Sequence, residues 1–270
     1  MPGLRSGSRR LDRALREGQA RLARHFAAIE RADPIDVHQA RVASRRLRSL
    51  LRTFKASCGG ARVSAYRRDL GRLARRLGEL RELDVLAAQP GMRAQPVAQA
   101  LAAARAAGVR RLHRRLRAEP ALWQTGLEGP PPASLGLDPD LGDRQVVQPV
   151  RRRWRRIERL LECEAVTPEV LHELRIKLKN LRYALETIAD MHAEEARVLD
   201  SLLRAAQSVL GDERDASSAR AWLPRSGLPP SVVSRSLVPL ERKSRRLAAR
   251  RPAVLSNLRQ AGRRWYRATR

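Results

Sequence analysis

The sequence has 270 residues, enough for two ordinary domains or for one domain built from two similar halves. Hydrophobic residues make up 43% and charged residues 31%, which argues against a wholly disordered chain. Lysine and arginine total 56 against 28 acidic residues, so the net charge of +28 indicates a polyanionic partner without identifying it. Aromatic residues are only 3%, and the abundance of leucine, alanine and arginine favours helices over strands.

Apolar residues spaced three and four apart predict eight helices between breaks rich in glycine and proline. Four come first, over 8–32, 34–57, 62–88 and 96–118. Residues 119–143 contain a run of three prolines and predict a linker or a long crossover. Four more follow over 144–163, 168–190, 194–220 and 231–268, the last broken or kinked near Pro252. The pattern predicts one all-α domain over 8–268, with a four-helix half on each side of the linker, 8–118 and 144–268.

The cysteines and the chain start indicate the cellular compartment. Cys58 and Cys163 lie far apart in no ligand-like spacing, which predicts free thiols in a reducing environment. The N-terminal segment carries charge but no apolar region, so no signal peptide is expected. No stretch approaches the roughly 18 apolar residues that a membrane-spanning helix needs. We therefore expect a cytoplasmic protein with no membrane partner.

Two segments of the sequence repeat each other, which predicts an internal duplication. They are DPIDVHQARVASRRLRSLL from Asp33 and TPEVLHELRIKLKNLRYAL from Thr167, and each starts with a helix-capping residue followed by proline. A second similarity, Leu-Gly at Leu77 and at Leu210, follows at nearly the same separation. The identical positions of the first similarity are Pro34/Pro168, His38/His172, Arg41/Arg175, Leu47/Leu181, Arg48/Arg182 and Leu51/Leu185.

Each repeated helix carries a row of positive charge beside a histidine. On a helical wheel, one side of the first helix presents His38, Arg41, Arg45, Arg48 and Arg52 over about 20 Å at 1.5 Å per residue. The opposite side presents Ala40, Ala43, Leu47, Leu50, Leu51 and Phe54, which we expect to be buried. The second helix repeats this with a shorter row, His172, Arg175, Lys179 and Arg182, opposite Leu174, Leu178, Leu181, Leu185 and Ile188.

Like charges one helical turn apart repel each other, so two matched rows favour a ligand that neutralises them. A linear polyanion lying across both rows would let each guanidinium form paired hydrogen bonds with phosphate oxygens. The histidines suit hydrogen bonding to phosphate, because an imidazole near neutral pH can donate a proton. The alternative is a solvated face neutralised by carboxylates on neighbouring helices.

The sequence lacks the motifs of a catalytic or metal site. There is no glycine-rich phosphate loop and no hydrolase or metalloprotease motif, so we expect no catalytic residue, no metal and no cofactor. Six acidic residues are expected to pair with cations across the bundle: Glu79, Glu82, Asp84, Asp212, Glu213 and Asp215. His25, His113 and His192 are interpreted as structural or surface residues. The arginines around Trp154 and Trp265 are interpreted as covering a seam, a line of contact between helices in which the tryptophans are buried, with the aliphatic part of their side chains.

The phrases VHQARVASRRLRSLLRTF and LHELRIKLKNLRYALE resemble the paired signature of the CHAD family, the conserved histidine α-helical domain. The resemblance covers the chain from about residue 8. It implies two four-helix bundles related by a pseudo-two-fold axis around a basic central channel that binds inorganic polyphosphate. Carried over by position, the site is His38, Arg41, Arg45, Arg46, Arg48 and Arg52, with His172, Arg175, Lys179, Asn180 and Arg182 opposite. Asn180 stands where the first copy has Arg46.

The resemblance further implies a stand-alone binding module that senses polyphosphate or associates with polyphosphate granules. Two other functions stay open from the residues themselves. One is sequence-independent binding of DNA or RNA through the net charge, against which the scarcity of aromatic, Asn and Gln side chains on the basic rows argues. The other is an enzyme, a polyphosphatase or a phosphotransfer protein using His38 or His172, for which the sequence supplies no cluster of carboxylates.

Overall fold

The two repeated segments fold into helices that begin at the predicted caps. The computed structural model describes residues 5–130, 132–163, 167–191 and 193–270. The Asp33 side chain accepts hydrogen bonds from the backbone N–H groups of Ile35 and Asp36, and Thr167 accepts one from Val170. In both helices a proline follows the cap, where its missing N–H costs nothing.

The described part of the chain contains ten α-helices, joined by turns and short 3₁₀ segments, which confirms the predicted all-α class. The first six are α1 (Ser6–Ala27), α2 (Pro34–Thr53), α3 (Ala61–Arg76), α4 (Gly78–Ala87), α5 (Gln95–Arg117) and α6 (Pro120–Leu127). The other four are α7 (Asp143–Leu161), α8 (Pro168–Leu185), α9 (Ala193–Trp222) and α10 (Pro230–Ala268). None of the described helices is long and apolar enough to cross a membrane.

The repeated helices end earlier than predicted, at Thr53 and Leu185, and the helix pattern differs from the prediction at three further places. The predicted helix over 62–88 is divided at Leu77 into α3 and α4, and the Arg41 guanidinium donates to the Ala74 carbonyl in the last turn of α3. The predicted linker over 119–143 contains α6, which starts at Pro120 and packs on α1 and α3. The predicted break near Pro252 does not occur. The helix α10 continues through Pro252, although this residue has no backbone N–H to donate.

The core joins the two halves of the chain. The helix α2 packs on α8, and the main cluster of buried residues includes Leu47 of α2, Leu181 of α8 and Trp154 of α7. A smaller cluster joins α4 and α5 to α9 and α10. The predicted apolar faces of α2 and α8 are buried, and Trp154 and Trp265 are 0% exposed, as the seam interpretation requires. The halves therefore share one core, which fixes α2 beside α8.

Most of the acidic residues near the Leu-Gly positions are paired as predicted. The ion pairs join Asp84 to Arg105 (2.6 Å), Glu213 to Arg251 (2.8 Å), Asp212 to Lys243 (3.2 Å) and Glu79 to Arg111. His25 is likewise structural, since its Nδ1 lies 2.9 Å from the Asp36 carboxylate. His192 lies outside the described residues.

Candidate functional site

A cavity of about 850 Å³ lies between the two repeated helices and α3, and we name it the basic groove. Its floor and walls come from one face of α2, one face of α8 and one face of α3. Nine arginines and one lysine line it: Arg41, Arg45, Arg48, Arg52, Arg67, Arg68, Arg72, Arg75, Arg175 and Lys179. Among the described residues that line it there is no carboxylate. A lining of this kind attracts anions and favours those of high charge density.

The cations of the groove are largely unpaired. Arg72 is neutralised by Glu119, with 2.5 Å between Nη2 and Oε2. For the other nine, no ion pair with a described carboxylate is found. These nine cations therefore lack the direct ion pairs that the alternative of a face neutralised by neighbouring carboxylates predicts, and their charge is available to a ligand.

The third side of the groove, which α3 provides, was not predicted from the sequence. Arg67, Arg68 and Arg75 face the rows of α2 and α8 because α3 packs closely against α2. Gly71 permits this approach, since a methyl group there would lie 3.3 Å from Cζ of Arg48. The signal in the sequence was the spacing of arginines by three and four residues along α3.

A second cavity of about 450 Å³ continues from the groove on the side of α4 and α9, and we name it the second chamber. Four side chains line both cavities, namely Arg41, Arg45, Arg175 and Lys179. They come from equivalent positions of the two repeats, two from each. The second chamber differs from the groove in charge, because Glu82, Asp212 and Asp215 also line it.

Burial and mutual repulsion act on the shared cations. Desolvation, with the charges of Arg175 and Arg45, lowers the pKa of Lys179 to about 7 from an ordinary value of 10.5. Desolvation and then Arg45 and Arg81 lower the pKa of Arg41 to about 10. The positive charge is therefore held at a cost to the folded protein, and an anion in the groove would relieve that cost.

The two predicted histidines occupy different cavities. His38 lines the second chamber, where desolvation and then Arg81 and Arg45 lower its pKa to about 4. His172 lines the groove and is exposed at its rim. At neutral pH His38 is thus an uncharged imidazole that can donate one hydrogen bond and accept another.

Two of the predicted site residues point away from the groove. The Arg46 guanidinium lies 2.6 Å from the Glu186 carboxylate and over the Tyr183 ring, where it lines a separate small cavity. Arg182 also lies beside the Tyr183 ring and lines neither the groove nor the second chamber. The remaining nine predicted residues line the groove or the second chamber: His38, Arg41, Arg45, Arg48, Arg52, His172, Arg175, Lys179 and Asn180.

Asp215 is a partly buried carboxylate in the wall of the second chamber, and no described cation forms an ion pair with it. Burial raises the pKa of Asp215, while the charges of Arg175 and Lys179 oppose that rise. No group of three or more His, Cys, Asp or Glu side chains that could hold a metal ion occurs among the residues described. The carboxylate of Asp215 opposes the lowering of the pKa of Lys179 through its negative charge.

Comparisons with known proteins identify the fold. The family model described as CHAD domain matches residues 8–224. The crystal structure of the CHAD domain from the plant Ricinus communis superposes with a TM-score of 0.70 at 24% identity, covering 97% of this chain and 93% of that one. PptA from Streptomyces chartreusis superposes with a TM-score of 0.62 at 18% identity, covering 94% and 98%. The comparison with curated protein sequences gives no significant match.

Proposed function

The chain belongs to the CHAD domain family, and from this premise we propose that it binds inorganic polyphosphate in the basic groove. The observation that carries the proposal is the set of nine arginines and one lysine around a cavity whose described lining includes no carboxylate. A polyanion that carries a negative charge on every monomer unit matches such a lining. Arginine forks can bind successive phosphates in pairs of hydrogen bonds.

The participation of both repeats supports a linear ligand. Arg41 and Arg45 enter the groove from α2, and Arg175 and Lys179 enter it from α8. A chain lying between the two helices touches both rows at once. A small anion such as orthophosphate would reach only a few of these groups, so the affinity should rise with chain length.

The lining of the groove favours polyphosphate over nucleic acid. Single-stranded nucleic acids gain affinity when their bases stack on aromatic side chains. Within the described lining of the groove there is no Phe, Tyr or Trp side chain, and His172 is the one aromatic ring. Several of its cations, including Lys179 and Arg175, are recessed and only partly exposed, which suits a thin chain better than a duplex. Duplex DNA would bind through the exposed arginines alone, with lower affinity.

We propose binding without turnover. Hydrolysis of a phosphoanhydride by the usual route requires carboxylates that position divalent cations beside the phosphates. The three carboxylates of the second chamber lie on the far side of the shared cations, outside the groove lining. The module would then localise to polyphosphate granules or report polyphosphate levels in the cytoplasm.

The test compares the wild-type protein with a groove variant, R41Q/R45Q/R175Q/K179Q. A matched control, R235Q/R242Q/R246Q/R250Q, removes the same number of basic side chains from exposed positions on α10. We expect long-chain polyphosphate to bind the wild type and the control, and the groove variant to lose about 100-fold, ~2.7 kcal/mol, or more. Equal losses in both variants would overturn the groove as the site. Release of phosphate from polyphosphate in Mg²⁺ would overturn the absence of turnover.

A further inference from the structure

The basic groove continues beyond Arg52. A cavity of about 270 Å³ adjoins it and shares three of its lining residues, Arg52, Ile176 and Asn180. Its other wall is the helix α7, from which Arg153 and Arg156 project into it. We name this cavity the α7 extension. From the sequence, these two arginines are expected only to cover a buried tryptophan.

The charge of the α7 extension is positive and largely unneutralised. Lys177 and Glu173 also line it, and they form an ion pair with each other at 3.0 Å. For Arg52, Arg153 and Arg156, the described residues provide no carboxylate within ion-pairing distance. The three guanidinium groups therefore extend the positive lining of the groove from α2 onto α7.

The surroundings of Arg153 favour a bound anion. Its side chain is half-buried in the wall of the extension. Desolvation, followed by the charges of Arg52 and Arg156, lowers the pKa of Arg153 to about 10. Burying an arginine beside two others without a carboxylate is unfavourable unless an anion compensates. Arg151, on the same helix, is different from Arg153 because its guanidinium has protein partners. It donates to the Tyr266 carbonyl at 3.0 Å and lies over the Tyr266 ring.

We propose that the α7 extension is a second subsite for the polyphosphate chain, which makes the protein select long chains over short ones. The inference rests on the proposed function, since it assumes a chain in the groove. A chain that leaves the groove past Arg52 would place its next phosphates against Arg153 and Arg156. A short chain that fills only the groove would gain nothing from them.

The test removes the two arginines that α7 contributes to the extension. The variant R153Q/R156Q deletes them, and the control R152Q/R159Q deletes two exposed arginines of the same helix that line neither the groove nor its extension. Affinities for tripolyphosphate and for long-chain polyphosphate are measured by calorimetry over a range of salt concentrations. Circular dichroism and thermal melting verify that both variants fold.

The inference requires a difference between the two ligands. We expect R153Q/R156Q to bind long-chain polyphosphate about 5- to 20-fold more weakly, with a salt dependence reduced by about 1–2 in slope. Its affinity for tripolyphosphate and both affinities of the control should stay within about twofold of the wild type. Equal losses for both ligands, or no loss for the long chain, would overturn the second subsite. Failure of the wild type to bind either ligand would instead overturn the proposed function.

Discussion

Arg45 of α2 and Lys179 of α8 occupy equivalent positions of the two repeats and line the same two cavities. Desolvation is the largest cause of the lowered pKa of Lys179, and the charges of Arg175 and then Arg45 lower it further. Two cations are thus held together where the groove meets the second chamber. A folded protein keeps such a pair at a cost in stability, and a bound anion removes that cost.

The first prediction concerns this cost at Lys179. The variant Lys179→Met should raise the free energy of unfolding by about 1–2 kcal/mol while weakening polyphosphate binding. The folded pKa of Lys179 is lowered, so its destabilising effect is full below pH 7 and disappears as the pH rises towards 10.5. Thermal melts of both proteins across this range test the sign. A gain in stability that grows with pH would contradict the account.

The second prediction concerns the pH dependence of binding. Because the pKa of Lys179 is lowered to about 7, about half of these side chains are uncharged at neutral pH. Polyphosphate should raise that pKa, so the complex takes up protons and the affinity falls as the pH rises above 7. Calorimetry in buffers of different ionisation enthalpy measures the uptake. The variant Lys179→Arg should take up fewer protons, and an unchanged uptake would assign it to another group.

The third prediction concerns Asp215, one of the three carboxylates that line the second chamber. Asp215 lies near Arg175 and Lys179, where its negative charge opposes an incoming polyanion. The variant Asp215→Asn should bind polyphosphate about 3- to 10-fold more tightly, with the largest effect at low salt. Glu194→Gln, at an exposed position on the same helix, is the control. Weaker binding by Asp215→Asn would show that this carboxylate positions the cations for the ligand.

The fourth prediction separates two consecutive arginines. Arg45 lines both cavities, whereas Arg46 is paired with Glu186 and lies over Tyr183. Arg45→Ala should lower the polyphosphate affinity about tenfold, ~1.4 kcal/mol. Arg46→Ala should change it by less than about threefold and lower the free energy of unfolding by about 1–2 kcal/mol. The same pattern for both variants, in affinity or in stability, would contradict the assignment.

Local sequence patterns were enough to predict the repeated helices and their faces. The caps at Asp33 and Thr167 are set by residues within one turn, and the buried leucines follow from the helical period. The identity of Arg41 with Arg175 then indicated a shared role, and both line the groove and the second chamber, whereas the matched histidines lie in different cavities. Capping residues, helical periodicity and internal repeats can all be read from the sequence without knowing how the helices pack.

The composition of the groove depends on packing that no local pattern specifies. Arg182 belongs to the predicted row of α8, yet its guanidinium lies beside the Tyr183 ring and lines neither the groove nor the second chamber. Arg46 lies outside the row of α2 on the helical wheel, and its contacts with Glu186 and Tyr183 hold it away from the groove. The arginines of α3 and α7 reach the site because those helices pack beside α2 and α8. Neither helix belongs to the repeated segments, so the repeat gave no indication of their role.

The most direct test of the central claim is equilibrium competition, at physiological salt, between long-chain polyphosphate and a mixed-sequence DNA duplex. The account predicts that the wild-type protein prefers polyphosphate by about 100-fold, ~2.7 kcal/mol, or more. It predicts that R41Q/R45Q/R175Q/K179Q loses this preference and that R235Q/R242Q/R246Q/R250Q retains it. Equal affinity of the wild type for both polyanions would contradict a specific groove and reduce the function to its net charge of +28.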